Sequence, residues 1–211
     1  TAWIIAAQAR WKPDGWKGSP MTAMAFDPAG GGRDSAELCW RHDAWYGEFV
    51  SALGPETADG SLAAATIIKH RRDAAPVVVD AGGGAGHGFG GTTIMRLKDN
   101  DIVVAPFNGA NTSLDRTKDG QLKFQNKRAE AWWRFREELN PDQQGGSVIA
   151  LPPDPELLAD LSAPTYTVGA KGILIEDKAH IRKRLGRSPG KGDAVVMCLS
   201  EGNTAIRRAM R

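Results

Sequence analysis

The sequence predicts an α/β fold in which helices flank a mixed central sheet, and three observations carry that reading. Three stretches rich in apolar and aromatic residues follow one another, Met21 to Phe26, Ala36 to His42 and Ala44 to Val50, and read as an antiparallel meander. The run Val77 to Val79 is apolar at every position, which marks a strand buried on both faces, as in a helix-covered parallel sheet. Beyond it, strand-like and helix-like segments alternate, the pattern of crossover connections.

In chain order, a Pro/Gly/Trp-rich lead-in over residues 1–19 ends at Ser19-Pro20. The strand Met21 to Phe26 is closed by Pro28 and Gly30-Gly31-Gly32, because Pro cannot donate to a ladder and Gly accepts unusual backbone angles. The next two strands turn at His42-Asp43. Asp59-Gly60-Ser61 signals a helix start, with Leu62, Ala65 and Ile68 on one face and a basic last turn, His70 to Arg72, suited to the helix dipole. After Val77 to Val79 comes a glycine-rich loop, Gly82 to Gly91, then a strand at Ile102 to Ala105, a helix at Asn126 to Leu139 and a strand at Val148 to Leu151. Asp154-Pro155 opens a helix through Leu161, with a capping side chain and Pro at the first helical position. Thr165 to Val168 and Gly172 to Ile175 form a hairpin. Lys178 to Leu185 is a helix stopped by Gly186, and Ser188-Pro189 caps a last helix that carries Asp193.

A chain of 211 residues with 41% hydrophobic content supports one core with elaborations. A net charge of +2 is too mild to argue for a polyanion partner, so only the distribution of basic residues can do so. Cys39 and Cys198, far apart in apolar contexts, read as buried free thiols of a reducing compartment. The longest nearly apolar run, Leu62 to Ile68, is too short to cross a bilayer and the start lacks a signal pattern, so the expectation is a soluble intracellular protein with no membrane partner. The abrupt opening at Thr1 suggests a piece of a longer polypeptide.

The chemistry is carried by carboxylates. Asp27 and Asp80 each end an apolar strand, where ligands gather in open α/β sheets; either one alone is more simply a turn cap. Asp193 follows a Ser-Pro cap on a helix that is apolar from Ala194 to Leu199, and its helical neighbours Val196 and Met197 turn it toward the protein body. A carboxylate pointing inward needs a partner, either a metal shared with Asp27 and Asp80 or a buried Lys or Arg. Converging carboxylates suit hard cations such as Mg²⁺ and Mn²⁺. Asp34 is either an outer contact behind these ligands or a loop residue. Gly186 to Gly192 only superficially resembles a phosphate loop, with one residue too few between glycines and Gly192 where Ser or Thr must stand. Gly86 to Gly91 formally matches a dinucleotide fingerprint, but it begins well past a strand end and reads better as a loop beside Asp80. The four histidines show no ligand spacing.

The chain resembles the nuclease domain of phage terminase large subunits, which have an RNase H-like fold. The resemblance runs through Phe26-Asp27-Pro28-Ala29-Gly30-Gly31-Gly32-Arg33-Asp34, Val79-Asp80-Ala81-Gly82-Gly83-Gly84, Phe124 to Trp133 and Leu151-Pro152-Pro153-Asp154. Its most specific part is the closing run from Glu176 to Pro189. The resemblance implies that Asp27, Asp80 and Asp193 hold two Mg²⁺ or Mn²⁺ ions in an endonuclease that cuts concatemeric double-stranded viral DNA during packaging. It implies residues 1–19 as a linker from an N-terminal packaging ATPase domain and residues 20–211 as the nuclease domain. Its implied partners are that ATPase domain, the portal and the small terminase subunit, in the cytoplasm of the infected bacterial host. One departure is Gly190, where the family commonly has Asp.

The basic residues Lys178, Arg182, Lys183, Arg184, Arg187 and Lys191 gather just ahead of Asp193. As a generic feature this is a solvated helix face. Beside a metal site it becomes a phosphate-binding surface through Arg182, Arg184, Arg187 and Lys191, with Arg187 and Lys191 the leading contacts. Lys178 is placed to approach the carboxylates, either orienting the attacking water or neutralising charge. Trp3, Trp11 and Trp16 are candidates for packing on the missing domain. The competing function is a noncatalytic DNA-binding module of the packaging motor, separable by metal-dependent cleavage of plasmid.

Overall fold

In the computed structural model, which describes residues 1–29, 34–57, 59–82 and 89–209, the elements follow one another as α1 (Ala2–Arg10), β1 (Ala23–Asp27), β2 (Ser35–His42), β3 (Trp45–Tyr46), β4 (Val50–Leu53), α2 (Gly60–His70) and β5 (Val77–Asp80). Then come α3 (Phe89–Asp99), β6 (Val104–Phe107), α4 (Lys127–Leu139), α5 (Pro155–Ser162), β7 (Tyr166–Gly169), β8 (Gly172–Ile175), α6 (Lys178–Leu185) and α7 (Gly190–Ala209). The main sheet is mixed. Its order is β3-β2-β1-β5-β6, with β4 also on β2, and β7 and β8 form a separate hairpin. β1 runs antiparallel to β2 but parallel to β5, which is parallel to β6.

Side-chain alternation then sorts the sheet into two faces. Met24 and Phe26 of β1 and Val77 and Val79 of β5 enter a core with Ala63, Ala64 and Ile67 of α2 and Ile94 and Leu97 of α3. Ala23 and Ala25 of β1 and Val78 of β5 enter the opposite core with α4, α5 and the buried run Ala194 to Cys198 of α7. Continuing each alternation by one step puts Asp27 and Asp80 on the face that α7 covers. Small residues at Ala23 and Ala25 let α7 lie close across the central strands.

Several sequence expectations are corrected. Residues 2–10, expected as part of a linker, form a helix whose Ile4 and Ala7 are buried in the α7-side core, with Leu151 donating its N–H to the Ala7 carbonyl. Trp3 packs on the same core and Trp11 stacks on Trp45, so these rings are satisfied within the domain. The expected strand Ala44 to Val50 is broken into β3 and β4 at Gly47, where the Trp40 indole occupies the space that any side chain would need. Val148 to Leu151 forms no strand and only bridges to β3 through Ala150. β6 lies two residues beyond its expected span, because Asp101 takes a positive φ of 55° and the strand begins only at Val104. As an edge strand it accommodates Pro106, which has no N–H to give.

The helix α3 was hidden by its own glycines. Gly90 sits against the Asp80 carbonyl so closely that no Cβ fits there, so the glycine reflects the approach of α3 to the end of β5. The rest of the expected loop, residues 83–88, and the turn residues 30–33 lie outside the described residues. The other predicted helices hold, with side-chain caps at Asp59, Asn126, Asp154 and Asp177 and a left-handed Gly186 ending α6. Cys39 and Cys198 are buried free thiols. No helix of the described residues is long and apolar enough to cross a membrane.

Candidate active site

Parallel pairing of β1 with β5 aligns Phe26 with Val79, so Asp27 and Asp80 stand side by side one residue further on. Asp193 reaches them from the first turns of α7 and Lys178 from the start of α6. The Lys178 Nζ lies 2.9 Å from Asp193 Oδ2 and 3.4 Å from Asp27 Oδ2. Asp27 and Asp193 are only 5% and 8% exposed, so their charges are poorly hydrated.

Burial is the main cause of the shifts. It pushes the Asp27 carboxyl up to about 7, against the pull of Lys178 and with added repulsion from Asp193 and Asp80. Burial also raises Asp80, although the Gly82 N–H at 2.9 Å, Lys178 and a hydrogen bond from Asp27 all favour its ionised form. For Lys178, burial opposes the charge, but Asp27 and Asp193 outweigh it and raise the ammonium above its ordinary value. Lys178 is therefore a fixed cation between two carboxylates.

The donor set fits a divalent metal. It is all oxygen and it converges, and three carboxylates exceed the charge that Lys178 supplies. Asp193 Oδ2 is buried without a geometrically proper hydrogen bond even though Lys178 Nζ is near. Among the described residues, no three acidic, His or Cys groups are drawn together tightly enough to form a ready cage. The ammonium holds the oxygens that an ion would use.

Two residues that sequence reasoning did not assign complete the site. The Trp132 indole Nε1 donates to Asp193 Oδ1 at 3.1 Å, and Arg128 Nη2 stands 3.7 Å from that same oxygen. They lie one turn apart on α4 and so share a face, a spacing visible in the sequence, but nothing there says that this face meets α7. Replacing Trp132 by Phe keeps an aromatic ring, though a smaller one, and removes the donor. It is expected to leave the fold intact and weaken Mn²⁺ binding by about tenfold or more, as loss of a ligand-orienting hydrogen bond does, and calorimetric titration checks this. Unchanged affinity would mean that Asp193 is held by its helix alone.

Glu37 faces Asp27 across the β1–β2 pair and is buried, with Ser35 and Ser51 hydroxyls donating to its carboxylate. A Cβ at Gly190 would lie 3.0 Å from Glu37 Cγ and 3.4 Å from Asp27 Oδ2. The glycine at position 190 thus leaves room for the Glu37 side chain beside Asp27.

The predicted phosphate contacts are all engaged in ion pairs. Arg182 pairs with Asp34 at 3.0 Å and Arg184 with Glu176 at 2.5 Å. Asp34 also accepts from the Ser188 N–H at 3.3 Å, so it ties the loop before α7 to α6. Arg187 binds Asp160, which is fully buried, at 2.6 Å, and Glu156 at 3.1 Å. Lys191 binds Asp154 at 2.7 Å and Glu156 at 2.8 Å, with 12% of its side chain exposed. Arg187 and Lys191 thus brace the start of α7 against α5, a structural task that their position in a basic run conceals. Arg182 and Arg184 are the more open pair, with side chains 57% and 47% exposed.

No protein-family model and no curated protein matches the chain. Solved structures do match. The nuclease domain of the large terminase subunit gp2 of bacterial virus Sf6 superposes with a TM-score of 0.68 at 21% identity, covering 93% of this chain and 95% of that one. The fold is that of a phage terminase nuclease domain. Point mutants of the Sf6 domain with manganese and with calcium align over the same shares of both chains, at TM-scores of 0.68 and 0.67 and 21% identity. The terminase nuclease fold is RNase H-like, and in this chain its central parallel pair, β1 and β5, presents Asp27 and Asp80.

Proposed function

We propose that the chain is a metal-dependent DNA endonuclease domain of a viral packaging terminase, cutting concatemeric double-stranded DNA with two Mg²⁺ or Mn²⁺ ions. The observation that carries this reading is the convergence of Asp27, Asp80 and Asp193 on one face of the sheet, at the ends of its two central parallel strands. The Sf6 nuclease domains with manganese and calcium support it. In the cell the domain would act with a packaging ATPase domain of the same polypeptide, the portal and the small terminase subunit, in the cytoplasm of the infected host.

Asp27, Asp80 and Asp193 would hold the ions. Bound divalent ions supply Lewis acidity, lowering the pKa of a coordinated water and stabilising charge at a phosphodiester. The chain's own residues prepare for this. Burial keeps the carboxylates poorly hydrated, Trp132 fixes the Asp193 oxygen, and Lys178 offsets negative charge until cations arrive. Arg182 and Arg184, whose side chains are the more exposed on α6, would meet the DNA backbone.

The purified chain is expected to nick and linearise plasmid in Mn²⁺ without ATP, and to do neither in EDTA. DNA binding with no cleavage in any divalent metal would instead support the noncatalytic module. Arg182→Ala and Arg184→Ala should each lower the salt slope of DNA binding by about 1, because one fewer counterion is released. Binding isotherms in Ca²⁺ at several salt concentrations measure this, and unchanged slopes would place the DNA elsewhere.

A further inference from the structure

Among the described residues, Arg128 holds the one buried basic side-chain nitrogen that has no hydrogen-bond partner. Its Nη1 donates to the Glu176 carbonyl at 2.8 Å, and its guanidinium lies over the Trp132 ring, 5.6 Å from the centroid. Its backbone N–H binds the Gly109 carbonyl at 3.0 Å. Backbone, stem and head are therefore fixed. Nη2 is nevertheless buried without a hydrogen-bond partner, because its nearest acid, Asp193 Oδ1, is 3.7 Å away and already accepts from Trp132. A buried donor left unsatisfied costs about 1–3 kcal/mol, so native structures rarely keep one without a use.

That nitrogen belongs to a residue lining a cavity of about 120 Å³ together with Asp80, Lys178 and Asp193. A guanidinium fork matches the oxygens of a phosphodiester better than those of a carboxylate held out of line. Simple neutralisation of Asp193 would draw Arg128 into a direct hydrogen bond, and the structure does not show one.

From this we infer that Arg128 is a catalytic residue that donates through Nη2 to a non-bridging oxygen of the scissile phosphate. The inference rests on the nuclease reading above. In the hydrolysis it serves, the oxygen of one water forms a bond to phosphorus and the bond from phosphorus to the 3′ oxygen breaks. The departing oxygen keeps the electron pair and ends as a hydroxyl with one proton from the water, while the other proton is released to solvent. Arg128 stays protonated and strengthens its hydrogen bond as charge gathers on the phosphate oxygens.

The test uses the whole chain with Arg128→Gln and Arg128→Lys, and three measurements: thermal melting, Mn²⁺ affinity by calorimetry without DNA, and single-turnover cleavage at saturating Mn²⁺ and DNA. Arg128→Gln is expected to cut about 10²–10³-fold more slowly, the loss typical of one preorganised donor. Its Mn²⁺ affinity should be unchanged or tighter, because a neighbouring cation has been removed. Arg128→Lys should stay at least roughly tenfold slow, since an ammonium lacks the fixed planar geometry that holds Nη1 on the Glu176 carbonyl while Nη2 donates. Saturating rates within about threefold of wild type in both variants, with any loss confined to subsaturating Mn²⁺, would overturn the assignment. Should Arg128→Gln fail to melt cooperatively, Arg128→Lys decides by the same criterion. A wild-type chain that does not cut would instead overturn the nuclease reading itself, and the inference with it.

Discussion

Asp27→Asn, Asp80→Asn and Asp193→Asn are each expected to reduce plasmid cleavage to background, a loss of about 10³-fold or more, with the circular dichroism spectrum retained. Asparagine conserves volume and removes the charge that makes a carboxylate a ligand for a hard cation. The three should differ in stability. At about pH 8 the metal-free Asp27→Asn chain should melt above wild type, because its burial disfavours the charge that Asn lacks. Asp193→Asn should melt below it, because Lys178 loses its nearer partner. Conversion of supercoiled to nicked plasmid, with melting curves in EDTA, measures both. Full activity in one variant would remove that residue from the mechanism.

The second large effect is a crossed pH dependence. Asp27 titrates near 7 in the folded chain against an ordinary value of 3.8, and Asp80 is shifted in the same direction. Between those values the folded chain holds a proton that the unfolded chain has released. This contribution to stability is fully present below the unfolded value and is lost as pH rises through the folded one, so metal-free stability falls from about pH 4 to about pH 7. Metal binding runs the other way. Each ligand must be ionised, so below about 7 apparent Mn²⁺ affinity should fall by up to about tenfold per pH unit as one proton is displaced. The rise in melting temperature caused by Mn²⁺ should therefore grow between about pH 5.5 and pH 7.5. A pH-independent rise would mean that Asp27 is not a ligand.

The legible parts of the molecule were those where local chemistry decides. The span of α6 from Lys178 to Leu185 was legible because its stop at Gly186, which is left-handed, is encoded locally. The all-apolar run of β5 betrayed a strand covered on both faces. Asp27 and Asp80 do end strands and Lys178 does start a helix, positions that are local signals. What stayed hidden depends on tertiary approach. The Gly90 that suggests a loop is required by the Asp80 carbonyl above it, and α1 looks like a lead-in until Ile4 and Ala7 are seen in the core. The ion pairs of Arg187 and Lys191 were not legible because their acidic partners, Asp154, Glu156 and Asp160, belong to α5 and its cap. Arg128 and Trp132 read as an ordinary helix face because only α7, folded across the sheet, turns that face into part of the site.

Anomalous diffraction from crystals of the chain soaked in Mn²⁺ tests the central claim most directly. The expected result is two manganese peaks held by carboxylate oxygens of Asp27, Asp80 and Asp193, with the Lys178 ammonium moved off the oxygens it now contacts. Manganese bound only elsewhere, or Lys178 still bridging Asp27 and Asp193 at saturating metal, would contradict it.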